Sequence, residues 1–199
     1  MAQTWLHALA EHVRRNGPFP HQMAFILDNR LRRLWVNPDE VIDSLALTGS
    51  EQVLELGPGP GFFSVEIARR LSSGRLELFD VQPEMLEKAR RKLDSAGYRN
   101  VGFHTGEASE EFPFHDGSFD VAFLAAVLGE VPDKSACVRS LARVLKPGGL
   151  LVFLEMFPDP DRLSVHTLCQ LAEAAGFDFL DAQQSPWKDI VRFKRRAAS

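Results

Sequence analysis

The segment Val53-Leu54-Glu55-Leu56-Gly57-Pro58-Gly59-Pro60-Gly61-Phe62-Phe63-Ser64 decides the fold of this chain of 199 residues. An apolar strand pattern runs directly into a Gly-x-Gly-x-Gly turn, and a helical pattern follows the turn. Glycines let the backbone bend sharply and approach a ligand without an intervening Cβ, and the start of a helix offers unpaired N–H groups. The segment therefore predicts a ligand-binding loop between a strand and a helix.

Two common nucleotide motifs do not fit this loop. The dinucleotide fingerprint Gly-x-Gly-x-x-Gly needs its third glycine at position 62, which is Phe62, and no Gly-Lys-Ser/Thr follows as a phosphate-binding P-loop requires. An acid does stand at the expected place, since Asp80 ends the next apolar run, 19 residues after Gly61. A carboxylate there can accept hydrogen bonds from both hydroxyls of a ribose, so the loop and the acid together predict a nucleoside-containing cofactor.

The rest of the chain alternates between short strand patterns and longer helical patterns, which is typical of βα units on a mostly parallel sheet. The predicted strands are 53–56, 75–81, 101–105, 119–124 and 150–156, with weaker ones at 177–181 and 190–194. The predicted helices of this part are 62–71, 83–96, 134–145 and 164–175. The fold class is therefore expected to be α/β.

The ordered set of motifs resembles the class I S-adenosylmethionine-dependent methyltransferases over residues 51–194. Besides the glycine loop and Asp80, the set comprises Gly106-Glu107-Ala108, Asp116-Gly117-Ser118-Phe119-Asp120 and Lys146-Pro147-Gly148-Gly149. The resemblance is to a group of small methyltransferases whose core is similar to the quinone and arsenite methylating enzymes. It implies a Rossmann-like sheet of seven strands, the last one antiparallel and inserted by a hairpin that residues 177–194 supply.

The resemblance also implies a set of cofactor-binding residues and no metal. Its members would contact, in turn, the methionine part, the ribose and the adenine of S-adenosylmethionine. They are Glu55, Gly57, Gly59 and Gly61 for the methionine part, with Leu124 nearby, Asp80 for the ribose, and Val81, Glu107 and Ala108 for the adenine. The family more often has Asp than Glu at the position of Glu107. The implied reaction is an SN2 methyl transfer that yields S-adenosylhomocysteine.

The sequence offers only two weak candidates for a catalytic base, His21 and Glu130. Similar methyltransferases often carry a His directly before the Glu that follows the fourth strand, and this chain has Gly129 there. Each candidate also has a structural explanation, His21 as a surface or helix-start histidine and Glu130 as a glutamate that holds the cap or the start of a helix. The missing His leaves open a catalytically silent module that binds the cofactor and acts through partners.

The segment before residue 51 differs from the rest and is expected to form an N-terminal helical cap, residues 1–50, ahead of a core at residues 51–199. Its first 36 residues hold five arginines and two acids, although the whole chain has a formal net charge of −4. Arg30, Arg32 and Arg33 on one predicted helix fit either a solvated face or peripheral contact with an anionic membrane. We expect the cap to cover a small-molecule methyl acceptor.

Composition narrows the remaining classes. An apolar content of 45% and a charged content of 25% describe an ordinary globular chain. The net negative charge argues against a nucleic-acid substrate, so an RNA or protein methyltransferase is the weaker alternative. Cys137 and Cys169 lie 32 residues apart, which suits neither a zinc site nor arsenite chemistry. With no signal-peptide pattern, a cytoplasmic protein is expected.

Overall fold

The computed structural model describes residues 37–197, which form one seven-stranded mixed sheet covered by helices on both faces. The strands are β1 (Gln52–Leu56), β2 (Arg75–Asp80), β3 (Val101–Thr105), β4 (Phe119–Ala125), β5 (Leu145–Met156), β6 (Phe177–Gln184) and β7 (Lys188–Arg195). The helices are α1 (Pro38–Asp43), α2 (Ser64–Arg70), α3 (Pro83–Ser95), α4 (Lys134–Val144) and α5 (Val165–Ala174), with a short 3-10 turn at Leu128–Glu130.

The order of the strands across the sheet is β3-β2-β1-β4-β5-β7-β6. The first five are parallel, and β7 lies antiparallel between β5 and β6. This arrangement confirms the predicted α/β fold with a mostly parallel sheet and an inserted antiparallel last strand. The order reverses between β1 and β4, and the carboxyl edge at such a switch point is where α/β sheets bind ligands.

Two apolar cores lie on the two faces of the sheet. One joins β-strand side chains such as Leu54 and Phe153 to α4 and α5, and the other joins Val53 and Phe123 to α1, α2 and α3. Alternate residues of each strand serve opposite faces, as the pleat requires. Within residues 37–197 both faces of the sheet are covered, so a site is expected at the ends of the strands.

Several element boundaries differ from the prediction by a few residues, and two of these differences have a clear structural cause. Helix α2 begins at Ser64 rather than at Phe62, because residues 59–63 continue the turn that starts in the glycine loop. Strand β5 begins at Leu145 rather than at residue 150, since Leu145 pairs with Phe119 and the ladder resumes only at Leu150. Residues 146–149 are therefore an irregularity inside β5, which begins directly after helix α4 ends at Val144.

Helix α1 lies within the segment that is predicted to form the helical cap. Its side chains Val41 and Ile42, with the following Leu45, are buried in the same core as Val53 and Ile67. The predicted cap helices at lower numbers, with His21 and the arginines at 30, 32 and 33, lie outside the described residues. The boundary at residue 50 stays a prediction. No helix within residues 37–197 is long and apolar enough to cross a membrane.

Candidate functional site

The glycine loop leaves β1 at the carboxyl edge of the sheet and depends on its glycines. Gly57, Gly59 and Gly61 all have positive φ, at 64°, 54° and 79°. A Cβ at Gly57 would lie 2.4 Å from a Val127 methyl carbon, and one at Gly61 would lie 3.1 Å from the Cβ of Ala89. The loop is therefore held between the turn after β4 and helix α3, with backbone rather than side chains on its surface.

Asp80 connects the glycine loop to the end of β2. Its Oδ2 accepts a hydrogen bond from the Gly59 N–H at 3.3 Å, and its Oδ1 accepts one from the Gln82 N–H at 2.9 Å. The residue is only 7% exposed, and desolvation raises the pKa of the carboxyl above its ordinary value although these backbone N–H groups oppose the shift. Each carboxylate oxygen keeps a further lone pair, so the group can still accept two hydroxyl donors.

Glu55 lies in β1, two residues before Gly57 at the start of the loop, and is 2% exposed. Its Oε2 accepts a hydrogen bond from the Ser64 hydroxyl at 2.6 Å. Desolvation raises the pKa of Glu55 to about 7, the Ser64 hydrogen bond opposes the rise, and the nearby charge of Asp80 adds to it. Two buried carboxyls thus stand beneath one loop, an arrangement that favours a cationic ligand and is costly without one.

The turn after β3 comes to the same edge. The Gly106 N–H donates to the Asp80 backbone oxygen at 3.1 Å, which joins this turn to the end of β2. Glu107 is exposed there, whereas Ala108 packs against the core. Val81 directly follows Asp80 and is partly exposed, and Leu124 on β4 is paired with Leu56 on β1. The predicted cofactor residues therefore share the carboxyl edge of β1, β2, β3 and β4.

The candidate base Glu130 lies in the 3-10 turn after β4 and is partly buried. Its neighbour Gly129 packs against residues 157–163, a segment that we call the strap. A Cβ at Gly129 would lie 2.0 Å from the backbone oxygen of Asp161. The position at which similar methyltransferases carry a His is therefore closed by backbone. His21, the other candidate, lies outside the described residues.

The strap leaves the carboxyl end of β5 and is anchored by two buried acids. Glu155 Oε2 accepts a hydrogen bond from the Leu163 N–H at 3.2 Å, and Asp189 on β7 forms an ion pair with Arg162 at 2.5 Å. Glu155 and Asp189 are directly paired on the two antiparallel strands. Desolvation raises the pKa of Glu155 to about 7, and the charges of Asp159 and Asp189 add to the rise while Arg162 opposes it.

Several of these residues were not identified from the sequence. Ser64 and Val127 had no distinguishing pattern, since a serine in a helix start and a valine in an apolar run are common. An acid inside the apolar strand β5 was a usable signal for Glu155. Its partner Asp189 lies 34 positions later, and the pairing of the two follows only from the register of the hairpin.

The residues present fit a cofactor that combines a nucleoside with a positive charge. Val127 leaves no room for a Cβ at Gly57, so the loop presents backbone there, and Asp80 beside it retains acceptor capacity for hydroxyl groups. Asp80 and Glu55 are buried acids beside this loop, and Glu55 carries its negative charge above its pKa of about 7. Within residues 37–197 no group of three or more His, Cys, Asp or Glu side chains is placed to hold a metal ion.

Comparison with known proteins identifies the family of the chain. A family model described as a methyltransferase domain matches residues 47–194. A ubiquinone/menaquinone biosynthesis C-methyltransferase from Vibrio vulnificus is 32% identical over 162 residues, which cover 77% of this chain and 62% of the relative. The enzyme of the same name from Idiomarina loihiensis is 37% identical over 127 residues, which cover 63% and 49%. The chain thus spans about three fifths or less of the length of these two relatives.

Solved structures share the fold. A S-adenosylmethionine-dependent methyltransferase from Aquifex aeolicus superposes with a TM-score of 0.83 at 23% identity, covering 89% of this chain and 99% of that one. The [4+2]-cyclase SpnF superposes with a TM-score of 0.73 at 20% identity, covering 81% and 80%. Because one of these two is named as a cyclase, the shared fold alone does not decide the reaction.

Proposed function

Since the chain belongs to the class I S-adenosylmethionine-dependent methyltransferases, we propose that it transfers a methyl group from S-adenosylmethionine to a small-molecule acceptor. One observation carries the proposal. The buried carboxylate of Asp80 holds the N–H of Gly59 and keeps acceptor capacity at the edge where the glycine loop leaves β1. That combination suits a ribose beside a loop that admits the methionine part.

The roles of the individual residues follow the family pattern. Glu55 and the loop glycines Gly57, Gly59 and Gly61 would surround the methionine part, with Leu124 at the end of β4 beside them. Asp80 would bind the ribose hydroxyls. Val81 would contact the adenine face, and Glu107 with the Ala108 N–H would contact the adenine edge. The sharing of one sheet edge by all nine residues supports this assignment.

When bound, S-adenosylmethionine supplies an electrophilic methyl group on a positively charged sulfur. The contribution of the protein is alignment, because holding the acceptor in line with that methyl group replaces a bimolecular encounter by an intramolecular one. The buried carboxyls Glu55 and Asp80 also favour the cationic cofactor over the product S-adenosylhomocysteine, which has lost the sulfonium charge. This difference in charge assists product release.

The names of the relatives support a ring carbon of a quinone precursor as the first acceptor to test. His21 and Glu130 stay the candidates for a base, and no metal is invoked. RNA and protein are the weaker acceptor classes. Contact of the N-terminal segment with a membrane is a secondary proposal, and the cytoplasm is the expected location.

A second function, a silent module that binds the cofactor without turnover, is favoured by one observation. Any side chain at position 129 would collide with the backbone of the strap. No residue there can take the place of the His of similar enzymes unless the strap moves. The choice between the two functions therefore rests on turnover rather than on binding.

The test combines binding and turnover. Calorimetry should detect S-adenosylmethionine binding, and formation of S-adenosylhomocysteine should be followed with a panel of quinols, phenols, amines and thiols. Turnover with one class supports the enzyme and identifies the nucleophile. Binding without turnover on the whole panel supports the silent module, and absence of binding contradicts both functions. If His21→Ala and Glu130→Ala retain full turnover, alignment alone accounts for the reaction.

A further inference from the structure

Two aromatic side chains project from the carboxyl edge of the sheet beside the site. Phe157 is 56% exposed and Trp187 is 53% exposed, which makes them the two most exposed large apolar side chains of residues 37–197. Their ring centroids lie 5.9 Å apart, and the Phe157 N–H donates to the Trp187 backbone oxygen at 2.9 Å. They form one apolar surface, which we call the aromatic pair.

The aromatic pair lies within reach of the glycine loop. Phe157 follows the last residue of β5 and Trp187 precedes the first residue of β7, and these two strands pair at Met156 and Lys188. Strand β5 is separated from β1 only by β4, so the two strands lie about 10 Å apart across the sheet, and β5 runs three residues, about 10 Å, beyond Phe153, which is level with the end of β1. A methyl acceptor placed beside the methionine part of a cofactor would occupy this interval.

The pair is presented by a fixed segment. The strap that begins with Phe157 is held at its far end by Glu155 and Asp189, which bind Leu163 and Arg162, and it lies against Gly129 at Asp161. Anchored aromatic side chains lose little conformational entropy when a ligand packs on them. This anchoring distinguishes the pair from an apolar residue on an unsupported loop.

Charge around the pair disfavours an anionic ligand, because the strap itself carries Asp159 and Asp161 and the nearby cations are paired. The cation nearest in sequence to Trp187 is Lys188, which is ion-paired with Glu40 at 2.6 Å, and Arg162 of the strap is ion-paired with Asp189. An anionic membrane surface would require cations that these pairs already neutralise. A planar aromatic ring requires only the apolar faces that the two side chains expose.

We propose that Phe157 and Trp187 are specificity-determining residues that bind the planar, uncharged ring portion of the methyl acceptor beside the glycine loop. The proposal rests on the proposed function, because the ring is expected at this place only if an acceptor meets the cofactor there. The acceptor is then an apolar ring compound, and the aromatic pair contacts the acceptor and not the cofactor.

The experiment measures binding of 1,4-naphthoquinone, a flat uncharged probe, by calorimetry at saturating S-adenosylhomocysteine. Trp187→Ala and Phe157→Ala should each weaken probe binding on the order of tenfold, while affinity for S-adenosylhomocysteine stays within about twofold. Trp187→Phe, which keeps a ring, should retain most of the probe affinity. Leu180→Ala is the matched control, since Leu180 is also exposed and apolar but lines a groove with Lys146 and Lys194 at the opposite edge of the sheet.

The outcomes separate this inference from the proposed function. Normal binding of S-adenosylhomocysteine with unchanged probe affinity in both alanine variants overturns the inference and leaves the proposed function intact. The inference is also overturned if the probe does not bind the wild-type protein, or if the variants lose only binding to phosphatidylglycerol vesicles. Failure of the wild-type protein to bind either form of the cofactor contradicts the proposed function itself.

Discussion

Asp80 joins three segments of the candidate site through a single residue. Its carboxylate accepts hydrogen bonds from the N–H groups of Gly59 and Gln82, and its backbone oxygen accepts one from Gly106. It does not cap helix α3, because the N-cap of that helix is Gln82, whose side chain makes no capping hydrogen bond. The hydrogen bond from Gln82 belongs to the start of helix α3, whereas those from Gly59 and Gly106 hold the glycine loop and the turn after β3.

We expect Asp80→Asn to weaken S-adenosylmethionine binding by at least tenfold. The substitution removes the charge and replaces one acceptor oxygen by an NH₂ group, which costs about 1.5–3 kcal/mol for each hydrogen bond to a charged group. Calorimetry measures the affinity, and Asp178→Asn on the exposed surface of β6 is the control. An affinity equal to that of the wild-type protein would contradict the assignment of Asp80 to the ribose hydroxyls.

At the scale of elements, the strap depends on a glycine in a different element. Gly129 has no positive φ to explain it, and its position is determined by the Asp161 backbone oxygen that a Cβ would approach to 2.0 Å. A backbone atom cannot move aside as a flexible side chain can. A larger residue at position 129 therefore forces the strap to move away from the turn after β4.

Gly129→Ala should destabilise the protein by about 1–3 kcal/mol, the usual cost of overpacking, and should increase proteolysis within residues 157–163. Urea unfolding gives the first quantity, and mapping of early proteolytic cuts gives the second. Gly97→Ala is the control, because Gly97 has a φ of 84° but no atom within 4 Å of an added Cβ. Gly97→Ala should lower stability through backbone strain alone, without new cuts in the strap. Equal cutting of the strap in both variants would contradict the role of the contact between Gly129 and Asp161.

The elements that could be predicted from the sequence are those whose signals are local. Strand β3 has the predicted bounds, since Val101–Thr105 is a short apolar run between clear breaks. The start of β5 could not be predicted, because Pro147 and two glycines are typical of a turn and only pairing with Phe119 makes Leu145 part of the strand. The anchors of the strap were missed for the same reason, as they depend on the register of β5 and β7.

At the scale of the whole molecule, the site joins the two halves of the sheet. The glycine loop and Asp80 belong to the half formed by β1, β2 and β3, whereas Val127 and the strap belong to the half formed by β4, β5 and β7. A ligand that contacts both halves stabilises the folded chain by mass action, because the unfolded chain has no such site.

S-adenosylhomocysteine at 100 times its dissociation constant should stabilise the protein by about 2.7 kcal/mol. For a chain of this length that corresponds to a rise in Tm of roughly 5–10 °C. Differential scanning fluorimetry measures the rise, and adenosine and methionine tested singly should give smaller ones. The same ligand concentration should give a clearly smaller rise with Asp80→Asn. A full rise in Tm in that variant would show that Asp80 does not contribute to cofactor binding.

Stability should also fall as the pH rises from about 4.5 to about 7. Glu55 and Glu155 have pKa values raised from 4.5 to about 7 by desolvation, so in this window the folded chain binds more protons than the unfolded chain. By linkage, the stabilisation is complete below pH 4.5 and is lost as the pH passes through 7. A shift of this size corresponds to at most about 3 kcal/mol for each group.

Glu55→Gln and Glu155→Gln should therefore become more stable relative to the wild-type protein as the pH is raised from 5 to 8, since glutamine resembles the protonated acid at every pH. Glu51→Gln is the opposite control. Although desolvation opposes the shift, hydrogen bonds from Thr48 and Gly49 lower the pKa of Glu51 to about 2, so its contribution is already complete at pH 5. That variant should be destabilised equally at pH 5 and pH 8. Urea unfolding across this range gives each difference, and a constant difference for Glu55→Gln or Glu155→Gln would show that the buried carboxyl is ionised at pH 5.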